Sequence, residues 1–448
     1  MHDGSEVGAV SVIFGLNPMW VAAILFAITY VVVMTEKVNR AIVSLLAAGL
    51  MIVLGVLNQE AAIRGIDFNT IGLLIGMMVI VAITRQSGVF QFMAIWAAKK
   101  VDARPWGILV MIALVTAVTS ALLDNVTTVL LVAPVTLLIT EELKVSPYPY
   151  LFAMIFSSNI GGTSTLIGDP PNIMIGSATG LTFNDFAYNL LPAIVVIMAV
   201  TLIPIYFIWG RHLKAAPEDR QRVMQFNERE AITNQRLLKQ CLSVIGLVIG
   251  GFVFAKALHL EAATVAMTGA ALLLLLANFG RDAERQSKHV LDAFNEVEWI
   301  TIFFFVGLFI VVHGVDSTGL LKLLADKMLA LTGGNLTATS MIILWSSAIL
   351  SAIIDNIPFV ATMIPLIKAM APTFGGPEGL MPLWWALSLG ACLGGNGTLV
   401  GASANLVVAG FAERAGQPIR FMQYTLLAFP IMLMSIAIGM VYLYWRYL

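Results

Sequence analysis

The stretch Ile160-Gly161-Gly162-Thr163-Ser164-Thr165-Leu166-Ile167-Gly168 returns 233 residues later as Leu393-Gly394-Gly395-Asn396-Gly397-Thr398-Leu399-Val400-Gly401. Asn172 then matches Asn405 at the same distance. Upstream, Asp124-Asn125 recurs as Asp355-Asn356, Gly76 and Gly88 recur as Gly307 and Gly319, and Pro134 recurs as Pro365, all shifted by 231 residues. Anchors in one order at nearly one spacing identify an internal duplication.

The chain around these anchors is 59% apolar and 11% charged over 448 residues. A soluble domain carries roughly 25% charged residues, so a soluble enzyme is excluded. Apolar stretches near 18–38, 41–58, 69–86, 106–140, 187–210, 238–257, 262–280, 299–314, 338–368 and 421–445 read as membrane spans. Two of them, 106–140 and 338–368, exceed a straight crossing and carry an Asp-Asn pair near the middle, as a broken helix does. The stretches 148–178 and 383–411 are rich in Gly, Ser, Thr and Asn and read as re-entrant hairpins, because irregular backbone at membrane depth needs protein or water beside it. Gly88 to Lys100 and Gly319 to Lys327 mix apolar residues with lysines and read as interfacial helices. The expected fold is an all-α polytopic membrane protein of two inverted-topology repeats, with about ten transmembrane helices, two re-entrant hairpins and two broken helices.

Each half holds five crossings, an odd number, so the second copy enters from the opposite side. The division is 1–210 for the first repeat, 211–239 for a charged cytoplasmic linker and 240–448 for the second repeat. With both termini outside a bacterial inner membrane, inside segments hold 18 Lys and Arg and outside segments 6, as the positive-inside rule requires. The acidic start, Met1 to Glu6, lacks the basic end of a signal peptide, so the first span is expected to be kept. Net charge is −1, and no basic arm points to nucleic acid. Cys241 and Cys392 lie far apart in apolar runs, and neither a metal site nor a cofactor is indicated.

A carboxylate at the centre of a membrane helix costs ~2.5–3.5 kcal/mol, so an acid there is a functional candidate. Asp124 is the only charge between Arg104 and Glu141, and Asp355 the only one between Lys327 and Lys368. Both are candidates for proton coupling, and both also suit the cap of a helix that restarts after a break. Asp169 is a third candidate, either a proton or cation carrier or a cap before Pro170-Pro171; its repeat partner is Ala402. Asn125 and Asn356 complete the two pairs as candidate solute ligands; Thr127 and Thr128 follow the first pair, where Pro358 and Phe359 stand after the second. In the two polar stretches, Asn159, Gly161, Gly162, Thr163, Thr165, Asn396 and Thr398 offer amides, hydroxyls and close backbone to a solute without fixed charge. The competing reading of the glycine pairs is tight helix packing. Asn172 and Asn405 suit a shared structural role or a ligand role equally. His313 and Arg85 read as interface residues and Cys392 as small-residue packing.

The run Ser158-Asn159-Ile160-Gly161-Gly162-Thr163-Ser164-Thr165-Leu166-Ile167-Gly168-Asp169-Pro170-Pro171-Asn172 resembles the signature of the arsenite permease family in the ion transporter superfamily. Asp124-Asn125 with Thr127-Thr128, Asp355-Asn356-Ile357-Pro358 and Gly394-Gly395-Asn396-Gly397-Thr398 fit the same pattern. The resemblance spans essentially the whole chain and implies export of arsenite, often also antimonite, in exchange for protons, in some members with a cytosolic ATPase attached. The melanosomal P-protein and uncharacterised permeases carry a similar run. Sodium-coupled dicarboxylate carriers of the superfamily show Ser-Asn-Thr in both polar stretches, whereas this chain has Ser158-Asn159-Ile160 and Cys392-Leu393-Gly394. Arsenite at neutral pH is largely an uncharged trihydroxide, which suits a pocket of amides and hydroxyls. Neither polar stretch contains Lys or Arg, which disfavours a dianion.

The alternative is a sodium/proton antiporter or another ion transporter of the same superfamily. An intramembrane aspartyl protease would pair Asp124 with Asp355, but the contexts Ala-Leu-Leu-Asp-Asn and Ala-Ile-Ile-Asp-Asn lack the Gly-x-Gly-Asp setting such an enzyme uses. The expected protein is a transporter and not an enzyme.

Overall fold

The computed structural model describes residues 12, 15–35 and 37–448, and among them it is built of helices and connecting turns without strands. The acidic start of the chain lies outside the described residues. Every expected span is a helix or a pair of helices. Among the described residues, eight helices are 18 residues or longer and apolar enough to cross a membrane, while Pro18–Met34, Arg40–Val53, Ala262–Asn278 and Asn356–Ala369 are shorter apolar helices.

The element order repeats. Helix Phe68–Arg85, a left-handed Gly88 and helix Val89–Lys100 are matched by helix Trp299–Ser317, a left-handed Gly319 and helix Leu320–Thr332. Both glycines have φ +80°, a backbone state that a Cβ disfavours, so the turn after each long helix is written identically in both halves. Helix pairs Pro105–Leu122/Asn125–Glu142 and Leu336–Ile353/Asn356–Ala369 follow, then Tyr148–Thr163/Pro170–Thr179 and Met381–Gly394/Ser403–Arg414, then the long helices Phe183–Ile205 and Phe421–Tyr447.

The structure exchanges the roles expected of the two interrupted stretches. The linker helix Pro217–Met224 touches both ends of the 105–142 pair. Arg220 donates to the Asp102 carbonyl at 2.8 and 3.2 Å, Arg222 pairs with the Glu142 carboxylate at 3.3 Å, and Lys144 pairs with Asp219 at 3.5 Å. A helix of eight residues is only ~12 Å long at 1.5 Å per residue, so both ends of the pair lie at one face. The stretch expected as a broken crossing therefore turns back at Leu123-Asp124 as a re-entrant hairpin. Conversely, helix Tyr148–Thr163 starts beside that face, where the Tyr150 hydroxyl donates to the Pro105 carbonyl at 3.0 Å. Its continuation ends at Thr179, and Ser177 in its last turn donates to Asp67 at 2.8 Å at the start of helix Phe68–Arg85. The other end of that helix pairs Arg85 with Glu296 at 2.8 Å beside the linker. So 148–179 runs from face to face as a broken helix, and the expected hairpin 148–178 is corrected. In the second half, 336–369 is the hairpin and 381–414 the broken crossing, entered from the opposite face. The expected hairpin 383–411 is corrected in the same way.

Parity survives the exchange, because each half still has five crossings and one hairpin. So does the charge bias. Lys144 moves to the linker face and Lys368 to the other, leaving 18 and 6 Lys and Arg on the two faces.

The helices sort into two bodies. Pro18–Met34, Arg40–Val53, Phe68–Arg85, Gln235–Leu258, Ala262–Asn278 and Trp299–Ser317 pack together as a frame; the hairpins, broken helices and long helices Phe183–Ile205 and Phe421–Tyr447 pack as a core. Two frame contacts are repeat-related. A Cβ on Gly76 would lie 2.7 Å from the Ala266 backbone, and one on Gly307 2.5 Å from that of Ser44. The expected linker is shorter than drawn, since helix Gln235–Leu258 already starts inside it. Helix Val89–Lys100 buries Phe90, Ala94, Ala97 and Ala98 against hairpin and linker, so it is more than an interfacial helix.

Candidate functional site

Breaking a helix inside a membrane strands backbone groups that water cannot satisfy, and the repeated residues answer that need. After Thr163 the chain leaves the helix, and Asn172 Nδ2 donates to the Thr163 and Thr165 carbonyls at 3.0 and 2.9 Å. Asn405 does the same for Gly395 and Thr398 at 2.7 and 2.9 Å. Thr165 Oγ1 donates to the Ala121 carbonyl and Thr398 Oγ1 to that of Ala352, both at 2.6 Å. These bonds sew each break to the tip of its own hairpin.

The glycines serve the same seam. A Cβ on Gly161 would lie 2.2 Å from the Ala117 carbonyl oxygen, one on Gly394 2.5 Å from that of Ala348, and one on Gly162 2.5 Å from that of Gly168. Thr163 Oγ1 is spent on the Asn159 carbonyl of its own helix at 2.6 Å. Gly161, Gly162, Thr163, Thr165 and Thr398 are thus engaged in packing and backbone satisfaction. Gly161→Ala is expected to force hairpin and broken helix apart, since backbone cannot yield as a flexible side chain can, at a cost of about 1–3 kcal/mol or more. A lowered melting temperature in detergent, relative to Gly246→Ala, whose Cβ meets open space, checks this.

The amides meet at the centre. Asn159 Oδ1 accepts from Asn125 Nδ2 at 3.1 Å, while its Nδ2 donates to Asn396 Oδ1 at 2.9 Å and Asn405 Oδ1 at 3.0 Å. One fully buried side chain therefore joins the tip of hairpin 1 to both breaks, across the repeat boundary. Asn356, at the tip of hairpin 2, reaches Asp169 Oδ1 at 3.3 Å. Left without partners are Asn125 Oδ1, Thr128 Oγ1, Asp169 Oδ2 and Asn396 Nδ2. A buried orphan costs about 1–3 kcal/mol, so a constellation of them fits groups awaiting a guest.

The three acids differ in their work. Asp124 caps the second arm of hairpin 1, accepting from the Thr127 backbone at 2.7 Å and from its hydroxyl. Asp355 caps the matching arm at Ile357 N, 3.0 Å, and is also ion-paired with Arg40 at 3.0 Å. Asp169 makes no capping bond although helix Pro170–Thr179 follows it, which removes the cap reading, and its side chain is fully buried. Cys392 gives a weak bond to Asn172 at 3.6 Å. His313 lies over Gly65, and Arg85 pairs with Glu296; neither joins this cluster.

Arg40, Glu298, Thr301 and Ser403 belong to the site and escaped the sequence reading. Arg40 Nη1 donates to Asp355 and, at 2.8 Å, to Ser403; Nη2 donates to Thr301 at 2.8 Å, and Thr301 donates to Glu298 at 3.1 Å. Arg40 stands one residue before the expected span 41–58 and opens helix Arg40–Val53. The sequence does carry a signal for the other pair: Asp67 and Thr70 recur as Glu298 and Thr301 at the same shift of 231, and each threonine donates to its acid. Tyr30 was also missed; its hydroxyl donates to the Pro358 carbonyl and pairs with Thr362 at 2.7 Å. The second arm of hairpin 2 is thereby held by the frame.

Between the hairpin tips lies a chamber of about 20 Å³, lined by Asp124, Asn125, Asp169, Glu298 and Asn356 with Arg40. A single water needs ~10–15 Å³, so the chamber admits a guest of that size. Beside it a vestibule of about 680 Å³ descends from the linker face to Arg40, Asp355 and Ser403. Its repeat-related counterpart on the other face, about 390 Å³, reaches Leu166 and Ile173 and does not touch Asp124. The molecule is open to the linker face and closed to the other.

Inverted repeats around paired breaks, with a buried polar centre open to one side, define a secondary transporter. The chain belongs to the citrate transporter family (CitMHS), whose profile matches residues 30–390. It is 42% identical over 431 residues to an uncharacterised transporter of Mycobacterium tuberculosis, covering 95% of this chain and 98% of that one. It is 32% identical over 506 residues to the human P protein, covering 94% of this chain and 59% of the relative. Among solved structures, the YdaH transporter of Alcanivorax borkumensis superposes with TM-score 0.58 at 14% identity over 96% of this chain and 98% of that one. MtrF of Neisseria gonorrhoeae, described with a class of antimetabolite efflux pumps, gives 0.56 at 11% identity over 97% and 95%. At such identities the likeness concerns the fold.

Proposed function

We propose that the protein exports arsenite, and antimonite, in exchange for protons by alternating access. The observation that carries this reading is the division of labour at the centre. The groups left open between the breaks and hairpin tips include uncharged amides and a hydroxyl, suited to an uncharged trihydroxide. Four carboxylates, Asp124, Asp169, Glu298 and Asp355, surround one guanidinium, which suits proton traffic and opposes a polycarboxylate. An uncharged solute gains nothing from membrane potential, so uphill export requires a coupled ion. In this reading 1–210 and 240–448 are the two repeats, and 211–239 is the cytoplasmic linker. Both termini lie outside a bacterial inner membrane, and the basic linker face is cytoplasmic. A cytosolic arsenite-stimulated ATPase is a candidate partner. Everted vesicles containing the protein are expected to take up arsenite when their lumen is acidified. Uptake indifferent to the proton gradient, with no ATPase present, sinks the mechanism.

A second reading, sodium/proton antiport, is favoured by one observation: Asp169 Oδ2 and Asn125 Oδ1 are unpartnered oxygens on residues lining a water-sized chamber. It predicts sodium-dependent collapse of a pH gradient in the same vesicles, with no response to arsenite.

A further inference from the structure

Arg40 has no counterpart in the other repeat. Gly76 on Ala266 and Gly307 on Ser44 set the correspondence of the two frame helices, and by that register Arg40 falls on Ala262. Its bonds divide between the two bodies. Thr301 holds it at 2.8 Å and the Phe304 ring lies 5.2 Å from the guanidinium, both on a frame helix; Asp355 and Ser403 hold it from the core. The pair is largely shielded, with side chains 24% and 15% exposed, at the floor of the linker-face vestibule.

We propose that Arg40 is a tethered counter-ion that competes with the transported proton for Asp355, latching the tip of hairpin 2 to the frame while that carboxylate is unloaded. This rests on the reading of Asp355 as a proton carrier. A proton arriving from the vestibule forms the O–H bond on Asp355, cancels the charge that held the guanidinium and frees the tip. Arg40 then keeps the Thr301 hydroxyl, which itself donates to Glu298 at the start of the same frame helix. The other titratable groups facing the pair are Asp124 and Asp169, across the small chamber on the first repeat. Ser403, the remaining core contact, is neutral and offers a weaker hold. The latch thus ties movement of the core to occupancy of one carboxylate.

The test reads the tip and needs no solute. Ile353 is half-exposed in the vestibule, two residues before Asp355, whereas Cys241 and Cys392 are buried. In nanodiscs, the maleimide labelling rate of Ile353→Cys, divided by that of Gln221→Cys on the exposed linker helix to remove the pH dependence of thiolate formation, is expected to change with pH through one midpoint. Adding Arg40→Gln is expected to move that midpoint up by about one unit or more, about tenfold in proton affinity, and Arg40→Lys to restore it to within about half a unit of its original position. A ratio flat across pH overturns the proposal. So does an unmoved midpoint in monodisperse Arg40→Gln protein, which leaves Arg40 a structural tie. Should vesicles ignore arsenite while the midpoint moves, the solute assignment fails and the latch stands.

Discussion

Asp355→Asn is expected to abolish arsenite uptake driven by an acidic vesicle lumen and, separately, to make the protein less stable. The amide keeps the shape and retains an oxygen to cap Ile357, so local helix geometry is spared. What it loses is the ability to exchange a proton and the negative partner of Arg40. Breaking a buried ion pair from one side costs ~3–5 kcal/mol; partial exposure of this pair reduces the expectation to about 2 kcal/mol. Asp124→Asn provides the contrast. Its carboxylate is bound by Thr127 rather than by a cation, so uptake should fail with little change in melting temperature. The double variant Asp355→Asn/Arg40→Gln should recover much of the lost stability and none of the uptake. Thermal unfolding in detergent and vesicle uptake, measured on the same preparations, separate the two effects.

The largest effect on folding is expected from Asn159→Ala. This side chain gives or receives three hydrogen bonds with Asn125, Asn396 and Asn405, and its removal leaves three buried polar atoms without those partners. At about 1–3 kcal/mol each, the loss is several kcal/mol, comparable with the whole ~5–15 kcal/mol stability of many proteins. The chain should fail to accumulate in membranes or elute as aggregate. Ser158→Ala, one residue away, removes only a hydroxyl that bonds its own helix at Ile155 and should be recovered monodisperse. Equal yields of the two variants would show that the amide cluster does not hold the repeats together.

Much of this architecture was legible in the residues. The repeat, the helices, the parity of crossings and the central placement of Asp124, Asn125, Asn159, Asn356 and Asn396 followed from spacing and from isolated polar groups in apolar runs. Which interrupted stretch turns back and which carries on did not follow. An apolar segment broken at its midpoint has the same composition in both cases, and the distinction lies where its ends meet other chain. Here Arg220 and Arg222 reach residues about 80–120 positions away in sequence, Asp102 and Glu142, and neither partner is marked by its neighbours. Arg40 was hidden for a related reason. It opens a helix of only 14 residues, so a position that looked like a loop end lies deep enough to touch a hairpin tip.

The linker helix also makes the two copies respond to different conditions. Hairpin 1 is moored at its base by Arg220 on the Asp102 carbonyl and by the ion pairs Lys144–Asp219 and Arg222–Glu142, in which Lys144, Arg222 and Glu142 are at least a third exposed. Charges open to water are screened within ~8 Å at physiological ionic strength, so these moorings slacken as salt rises. Hairpin 2 is moored at its tip by the shielded Arg40, where salt has little reach. Under the proposed latch, one element of the duplicated pair answers to the ionic composition of the solution bathing the linker, and the other to its acidity.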